Sequence, residues 1–182
     1  AIDTALRLQP DLPEAHLALS LYHSANGVNL TAAERELDLA ERNRPAAPDI
    51  FMARSGLAMS RGRSEESVVL ARRAIELEPR NGLNLTQLGT RLRLARRYAE
   101  SVEVCRRAYD ILGTSIPMTN WANAELAWHG DRAEVVRTLE EIPEAQRGIP
   151  YWSVRMMLLF ALGDGEGVLA AATHRPGPRA GG

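Results

Sequence analysis

The sequence contains no lysine, since all 22 basic residues are arginine. Schiff-base chemistry, a lysine general base and the lysine-bearing phosphate loop of nucleotide-binding proteins are therefore excluded for this chain. The single cysteine, Cys105, excludes an internal disulfide bond and any metal site built from several cysteines. Because 22 basic residues oppose 23 acidic ones, the net charge of −1 gives no general attraction to nucleic acid or to an anionic membrane.

Long apolar segments are also missing. The longest apolar run, residues 156–162, is far shorter than the roughly 18 residues that a membrane-spanning helix needs. Residues 1–3 lack the basic and apolar regions of a secretion signal. The chain starts without methionine, inside a predicted helix, so we interpret it as a fragment of a longer protein. The expected location is the cytoplasm, and a signal further upstream stays open as an alternative.

The composition is that of a folded protein. Apolar residues make up 45% of the chain and charged residues 25%, which argues against disorder, a collagen-like fibre or a disulfide-rich scaffold. A compact chain of 182 residues can bury about 70% of the surface that its unfolded form exposes. The composition therefore predicts a globular core, although it does not indicate a biological role.

Two sequence markers recur along the chain with the same period. Four similar segments begin at Ala5, Ala40, Ala74 and Ala108, which gives a period of about 34 residues, a length typical of helical repeats. A second marker, mostly glycine, recurs with the same spacing at Gly27, Gly62, Arg96, Gly130 and Gly163. Two independent markers with one period indicate a repeat architecture.

Each repeat contains two stretches with helical spacing of apolar residues. In the third repeat, Leu85, Leu88 and Leu92 follow the i, i+3, i+7 pattern of an amphipathic helix. No run alternates with period two, so no strand is predicted. The pattern predicts helices near residues 1–9, 13–26, 31–44, 48–61, 64–78, 82–95, 98–112, 117–129, 131–142, 150–162 and 165–173.

This pattern resembles the tetratricopeptide repeat family, which has a 34-residue helix–turn–helix unit and a Trp, Leu-Gly, Tyr, Ala, Phe, Ala, Pro signature. The third repeat matches best, with Leu88-Gly89 in its first helix and Ser101, Cys105 and Ala108 in its second. The resemblance covers nearly the whole chain.

The second, fourth and fifth repeats depart from this signature, the fourth at its entrance, where it has Thr119 and Ala122. The second repeat keeps the aromatic position with Phe51 but has Arg54 in place of the leucine. The fifth repeat has Trp152 at the aromatic position and Arg155 in place of the leucine. These departures leave the helix crossing angles in these repeats open and do not disturb the period.

The resemblance implies an all-α fold, an α-solenoid of stacked helix–turn–helix repeats that forms a right-handed superhelix with a concave face. We expect one array over residues 1–174, followed by a disordered tail over 175–182. The array would comprise a half repeat, 1–12, and full repeats 13–47, 48–81, 82–115, 116–148 and 149–174.

The resemblance also implies a non-catalytic scaffold that binds a protein or peptide partner in its concave groove. The family's groove positions, carried over one by one, are Leu17, Leu21, Met52, Met59, Thr86, Thr90, Arg93, Asn120, Trp128, Met157 and Phe160. Because this set is mostly apolar or neutral, we expect an apolar or amphipathic segment as the ligand. The alternative is that Met52, Met59 and Phe160 simply pack between helices.

Other functions are less well supported by the residues. The four histidines form no metal-binding motif, and nothing near Cys105 in the sequence would activate its thiol. The glycine-rich segment 163–167 follows a helix rather than a strand, so we interpret it as a turn and not as a phosphate loop. We therefore predict no cofactor, no metal and no nucleic-acid partner. The scaffold would be a fragment of a larger bacterial regulatory or assembly protein. The alternative function is self-association through incomplete terminal repeats, as a module of a multidomain signalling enzyme or transcription regulator.

Overall fold

A computed structural model describes residues 2–25 and 29–173, and these residues form α-helices and turns with no strand. The helices are α1 (Ile2–Leu8), α2 (Pro13–Ser24), α3 (Leu30–Asn43), α4 (Pro48–Ser60), α5 (Ser64–Leu77), α6 (Gly82–Leu94), α7 (Tyr98–Leu112), α8 (Ser115–His129), α9 (Arg132–Glu140), α10 (Ile149–Leu162) and α11 (Gly165–Thr173), with a short 3₁₀ helix at Glu144–Gln146. The all-α prediction is confirmed, and each of these helices begins and ends within about two residues of its predicted bounds. The predicted disordered tail and Gly27 lie outside the described residues.

The mid-repeat marker marks a left-handed turn between two helices. The backbone φ is +74° at Gly62, +71° at Gly130 and +76° at Gly163, a region that glycine enters without steric cost. At Gly62, the N–H of the next residue, Arg63, donates to the carbonyl oxygen of Ala58 at 2.9 Å. This bond ends α4 with the Schellman motif, so the marker repeats because each helix pair needs the same turn.

Arg96 occupies the same turn in the third repeat, with φ of +60°. We expect Arg96→Gly to raise the free energy of unfolding by about 0.5–1 kcal/mol, because the left-handed conformation is strained for a residue with a Cβ atom. The exposed Arg96 side chain contributes little that would be lost. Gly130→Ala is the matched control and should lower stability by a similar amount, since its added Cβ would meet no atom within 4 Å. Urea denaturation of both variants measures the change in the free energy of unfolding. A change of the same sign in Arg96→Gly and Gly130→Ala would contradict the assignment of strain to the left-handed conformation.

Contacts between Cα atoms divide the chain into two units, Ala1–Asn84 and Leu85–Gly182. The core of the first unit includes Leu37 and Ile50, which are almost completely buried. The core of the second includes Leu139 and Tyr151. The single array over residues 1–174 and its repeat limits stay a prediction.

A serine hydroxyl joins the two helices of a repeat in each unit. In the first unit, the Oγ of Ser67 on α5 donates to the carbonyl oxygen of Ser55 on α4 at 2.7 Å. In the second, the Oγ of Ser101 on α7 donates to the carbonyl oxygen of Gly89 on α6, also at 2.7 Å. The two donor serines are one repeat period apart in the sequence, as are the two acceptors. A small residue at the acceptor position lets the helices approach closely enough for this bond.

In the second repeat, an arginine stands where the family signature has leucine, and its side chain forms ion pairs. The guanidinium of Arg54 on α4 lies 2.6 Å from a carboxylate oxygen of Asp38 and also binds Glu41, both on α3. Partial burial acts to lower the pKa of Arg54, but hydrogen bonds to these carboxylates and their negative charges together raise it. The departure from the leucine signature is therefore compensated by charge pairing between neighbouring repeats.

Candidate peptide-binding surfaces

The first helices of successive repeats, α2 and α4, are in contact within the first unit. Arg44, just before α4, links the first turns of the two helices, because its guanidinium pairs with Glu14 of α2 at 3.2 Å and with Asp49 of α4 at 3.0 Å. Side chains on these two helices are therefore held next to one another at a defined spacing.

The four predicted groove residues of the first unit differ in their burial. Leu21 is half exposed, while Leu17 and Met59 are partly buried. Leu17 packs against the core of the unit. Met52 is buried. Among these four apolar residues, Leu21 therefore has the largest exposed fraction.

A polar contact joins the first helices α6 and α8 in the second unit. The amide nitrogen Nδ2 of Asn120 on α8 donates to Oγ1 of Thr90 on α6 at 3.2 Å. The Thr90 hydroxyl in turn donates to the carbonyl oxygen of Thr86 at 3.3 Å. Three predicted groove residues therefore lie in one hydrogen-bonded row, in which the Thr86 side chain is buried and the other two are partly exposed.

Large apolar side chains are exposed on α8 and α10, which contact each other. The exposed fractions are 47% for Trp128, 53% for Met157 and 80% for Phe160. Met157 and Phe160 are three residues apart on α10 and therefore share a face of that helix. The Trp128 ring lies 4.2 Å from the ring of His129, measured between centroids, so part of the indole is already covered within the chain. We refer to Trp128, Met157 and Phe160 as the apolar patch.

Arg93, the remaining predicted groove residue, is partly buried on α6 and lies close enough to Cys105 to affect it electrostatically. Burial raises the pKa of the Cys105 thiol to about 11, and the hydrogen bond with Ser101 and the positive charge of Arg93 only partly oppose this. The thiol is therefore uncharged at neutral pH, and a nucleophilic role is not supported.

We expect Cys105 to react with a disulfide reagent about 100-fold more slowly in the folded protein than in urea at pH 8, because the thiolate is the reactive form. The raised pKa also means that the stability contributed by this group is present below the unfolded pKa of about 8.5 and is lost as the pH rises towards 11. Absorbance of the released reagent measures the rate. A cysteine introduced at the exposed Val69 in a Cys105→Ala background is the matched control, and equal rates at both sites would contradict burial.

No three or more His, Cys, Asp or Glu side chains within residues 2–25 and 29–173 are arranged to hold a metal ion. A polar cavity of about 530 Å³ between α7, α8 and α9 is lined by Glu125 and His129, whose side chains approach to 3.6 Å. Only residues 163–164 of the segment predicted as a turn lie between α10 and α11, and the Asp164 carboxylate accepts the N–H of Gly167 in the first turn of α11 at 2.8 Å. None of the described helices meets the length and hydropathy needed to cross a bilayer.

No protein-family profile matches the chain, and no curated protein matches its sequence. Solved structures do match. A structure of PilF from Pseudomonas aeruginosa has a TM-score of 0.73 at 19% identity, covering 92% of this chain and 78% of its own. TTC0263, a thermophilic TPR protein of Thermus thermophilus, has a TM-score of 0.67 at 14% identity and 88% coverage of each chain. YrrB, a TPR protein with an unusual peptide-binding site, has a TM-score of 0.61 at 13% identity, covering 96% of this chain and 90% of its own.

At these identities the structural likeness establishes the fold. It agrees with the repeat period, the paired helices and the left-handed turns. The chain has the helix–turn–helix repeat fold of tetratricopeptide repeat proteins.

Proposed function

We propose that this chain is a non-catalytic interaction module that holds an apolar or amphipathic partner segment against the first helices of its repeats. The apolar patch carries this proposal, because Trp128, Met157 and Phe160 leave large apolar surfaces in water on two adjoining helices. Contiguous exposed apolar surface is characteristic of protein-binding sites, and the contact between α8 and α10 favours such an arrangement for these side chains. Methionine suits such a site because its side chain adapts to irregular partners.

The chemistry around the patch supports an amphipathic rather than a wholly apolar ligand. Asn120 and Thr90 supply hydrogen-bonding groups on the neighbouring first helices, and Arg93 supplies a positive charge. In the first unit, Leu17, Leu21 and Met59 would contribute to binding and the buried Met52 would support them. In the second unit, the buried Thr86 would play the same supporting role. The peptide-binding site named for the structurally similar YrrB is consistent with this use of the fold.

Affinity capture with the purified chain, followed by calorimetry on the identified partner, tests the proposal. We expect a dissociation constant near micromolar. The double substitution Met157→Glu and Phe160→Glu should raise this constant at least tenfold, which corresponds to a loss of about 1.4 kcal/mol in binding free energy. Val69→Glu, at an exposed apolar position on the second helix α5, is the matched control and should bind like wild type. Equal binding by both variants would contradict the assignment of the patch.

Self-association is a second candidate, favoured by the largely exposed Leu8 on α1 and Leu169 on α11. Both are apolar side chains on the first and last described helices, and pairing between chains would cover them. Sedimentation across a concentration series tests this candidate. A mass that rises with concentration in wild type and stays monomeric in Leu169→Glu supports self-association, whereas a constant monomeric mass in both excludes it.

A further inference from the structure

A second cavity, of about 350 Å³, lies where the end of α9 and the segment after it meet α10 and α11. Its lining residues are Glu140, Glu144, Arg147, Trp152, Arg155 and Ala170. Two of these six residues are arginines, and neither arginine belongs to the predicted groove or to the apolar patch. The cavity is therefore a candidate site that the proposed function does not use.

Both guanidiniums of the cavity are bound to Glu140, the last residue of α9. Nη2 of Arg147 donates to the backbone carbonyl oxygen of Glu140 at 2.9 Å, and its Nε donates to the carbonyl oxygen of Ile142 at 2.9 Å. Nη2 of Arg155 donates to Oε1 of Glu140 at 2.8 Å. Since one residue binds both side chains, the two positive charges are held near each other.

Within the described part of the chain, only one of these two positive charges has a carboxylate partner. Arg155 forms an ion pair with Glu140. Arg147 instead bonds to neutral backbone carbonyls, and its Cζ lies 5.2 Å from the centroid of the Tyr151 ring. Glu144, the other carboxylate of the lining, is exposed and forms no ion pair with a described residue. The Arg147 guanidinium is therefore open to a carboxylate from another molecule.

Two donors near this cavity have no hydrogen-bond acceptor among the described residues. They are the hydroxyl of Tyr151, a residue that is 1% exposed, and the buried Nε–H of Arg155. Burial raises the pKa of the Tyr151 hydroxyl, so this group is protonated and able to donate at neutral pH. The positive charges of Arg147 and Arg155 oppose that rise, so the hydroxyl lies within electrostatic range of both guanidiniums. Buried donors without an acceptor are rare in folded proteins, and a ligand oxygen would satisfy them.

We propose that this cavity binds a carboxylate group of a partner protein. An ionised carboxylate accepts several hydrogen bonds and pairs with a guanidinium, so it would satisfy Arg147 together with the donors of Arg155 and Tyr151. A neutral carbonyl group would leave the charge of Arg147 unpaired. A phosphate group carries nearly two negative charges, which the carboxylates of Glu140 and Glu144 would repel.

Titration of the whole ¹⁵N-labelled chain with short peptides, followed through the NMR signals of the arginine Nε–H groups, tests this proposal. An acetylated and amidated Gly-Glu-Gly peptide offers a side-chain carboxylate, and an acetylated Gly-Gly-Gly peptide with a free carboxyl terminus offers a main-chain one. The acetylated and amidated Gly-Gln-Gly peptide is the neutral reference. We expect a saturable shift of the Arg155 signal in the millimolar range with a carboxylate peptide, and the peptide that saturates first identifies the source of the carboxylate.

Arg73 provides an internal control for this titration. It is an exposed arginine of α5 that pairs with Glu76, so it has a carboxylate partner as Arg155 has but does not line the cavity. Its Nε–H signal should not shift with saturation. The proposal is overturned if neither carboxylate peptide shifts the Arg155 signal, if the neutral peptide shifts it equally, or if Arg73 responds as Arg155 does.

Two substitutions with opposite expected effects test the site further. Tyr151→Phe removes only the hydroxyl and should raise the dissociation constant of the carboxylate peptide by about threefold or more, without lowering the stability of the free chain, because the hydroxyl has no partner there. Lower stability with unchanged binding would show that the hydroxyl holds a structural water and would overturn the assignment. Glu144→Gln removes a negative charge from the lining and should lower the dissociation constant. If Tyr151→Phe fails to fold, weaker binding by Glu144→Gln still contradicts the proposal.

Discussion

Replacing Trp152 by alanine is expected to lower the free energy of unfolding by about 3–5 kcal/mol, because a large aromatic side chain leaves the core. Trp152 is 7% exposed and meets the ring of Tyr151 edge-to-face, with centroids 4.9 Å apart. Its indole N–H donates to the carbonyl oxygen of Arg147 at 3.1 Å, so the substitution also removes a bond that holds the segment before α10. Urea denaturation followed by circular dichroism measures the loss.

Trp128→Ala is the matched control for this prediction. It removes the same side chain from the apolar patch, where 47% of the residue already contacts water. The expected loss is below about 1 kcal/mol, since little burial is forfeited. A comparable loss in both variants would mean that Trp128 is a core residue and would also weaken the proposed binding surface.

Gly89→Ala is expected to lower the free energy of unfolding by about 1–3 kcal/mol, although alanine is the better helix former. A Cβ atom at Gly89 would lie 2.3 Å from Sγ of the fully buried Cys105, well inside contact distance. Either the buried Cys105 side chain would have to move or α6 and α7 would have to separate, and separation would also lengthen the bond from the Ser101 hydroxyl to the Gly89 carbonyl oxygen. Thermal and urea denaturation measure the effect.

Removing the opposing sulfur should reverse the sign of this effect. In a Cys105→Ala background the clash disappears, so Gly89→Ala should then be neutral or stabilising by up to about 1 kcal/mol through helix propensity. The coupling between the two substitutions is therefore the quantity to determine in a double-mutant cycle. Simple additivity of the two substitutions would show that close helix approach does not explain the glycine.

Most of the fold could be predicted from the sequence because the signals are local and repeated. Helix starts at Pro13 and Pro48 follow from proline's suitability for a first turn, and the left-handed turn explains why glycine recurs at Gly62 and Gly130. Each signal depends on a few neighbouring residues, and the common period then confirms it from repeat to repeat. Arg96 also follows the period, although its residue type alone would not indicate a left-handed turn.

The candidate sites were harder to predict because burial and pairing depend on residues far apart in the sequence. The family pattern places Met52 and Thr86 in the groove, but only packing between helices decides that these side chains are buried. The carboxylate partners of Arg54 lie on the preceding helix, 13 and 16 residues away along the chain, and a charge in the sequence does not identify them. Sequence period therefore predicts position along a helix, whereas exposure must be read from the structure.

The turn at Gly62 has a consequence for protein engineering. It is exposed, its added Cβ would meet nothing within 4 Å, and the bonds that end α4 are formed by the backbone alone. An exposed turn that contributes no side chain to the core is a site where inserted sequence is best tolerated. A small reporter domain whose own termini lie close together could be inserted there, and its signal would then follow the state of the α4–α5 hairpin directly.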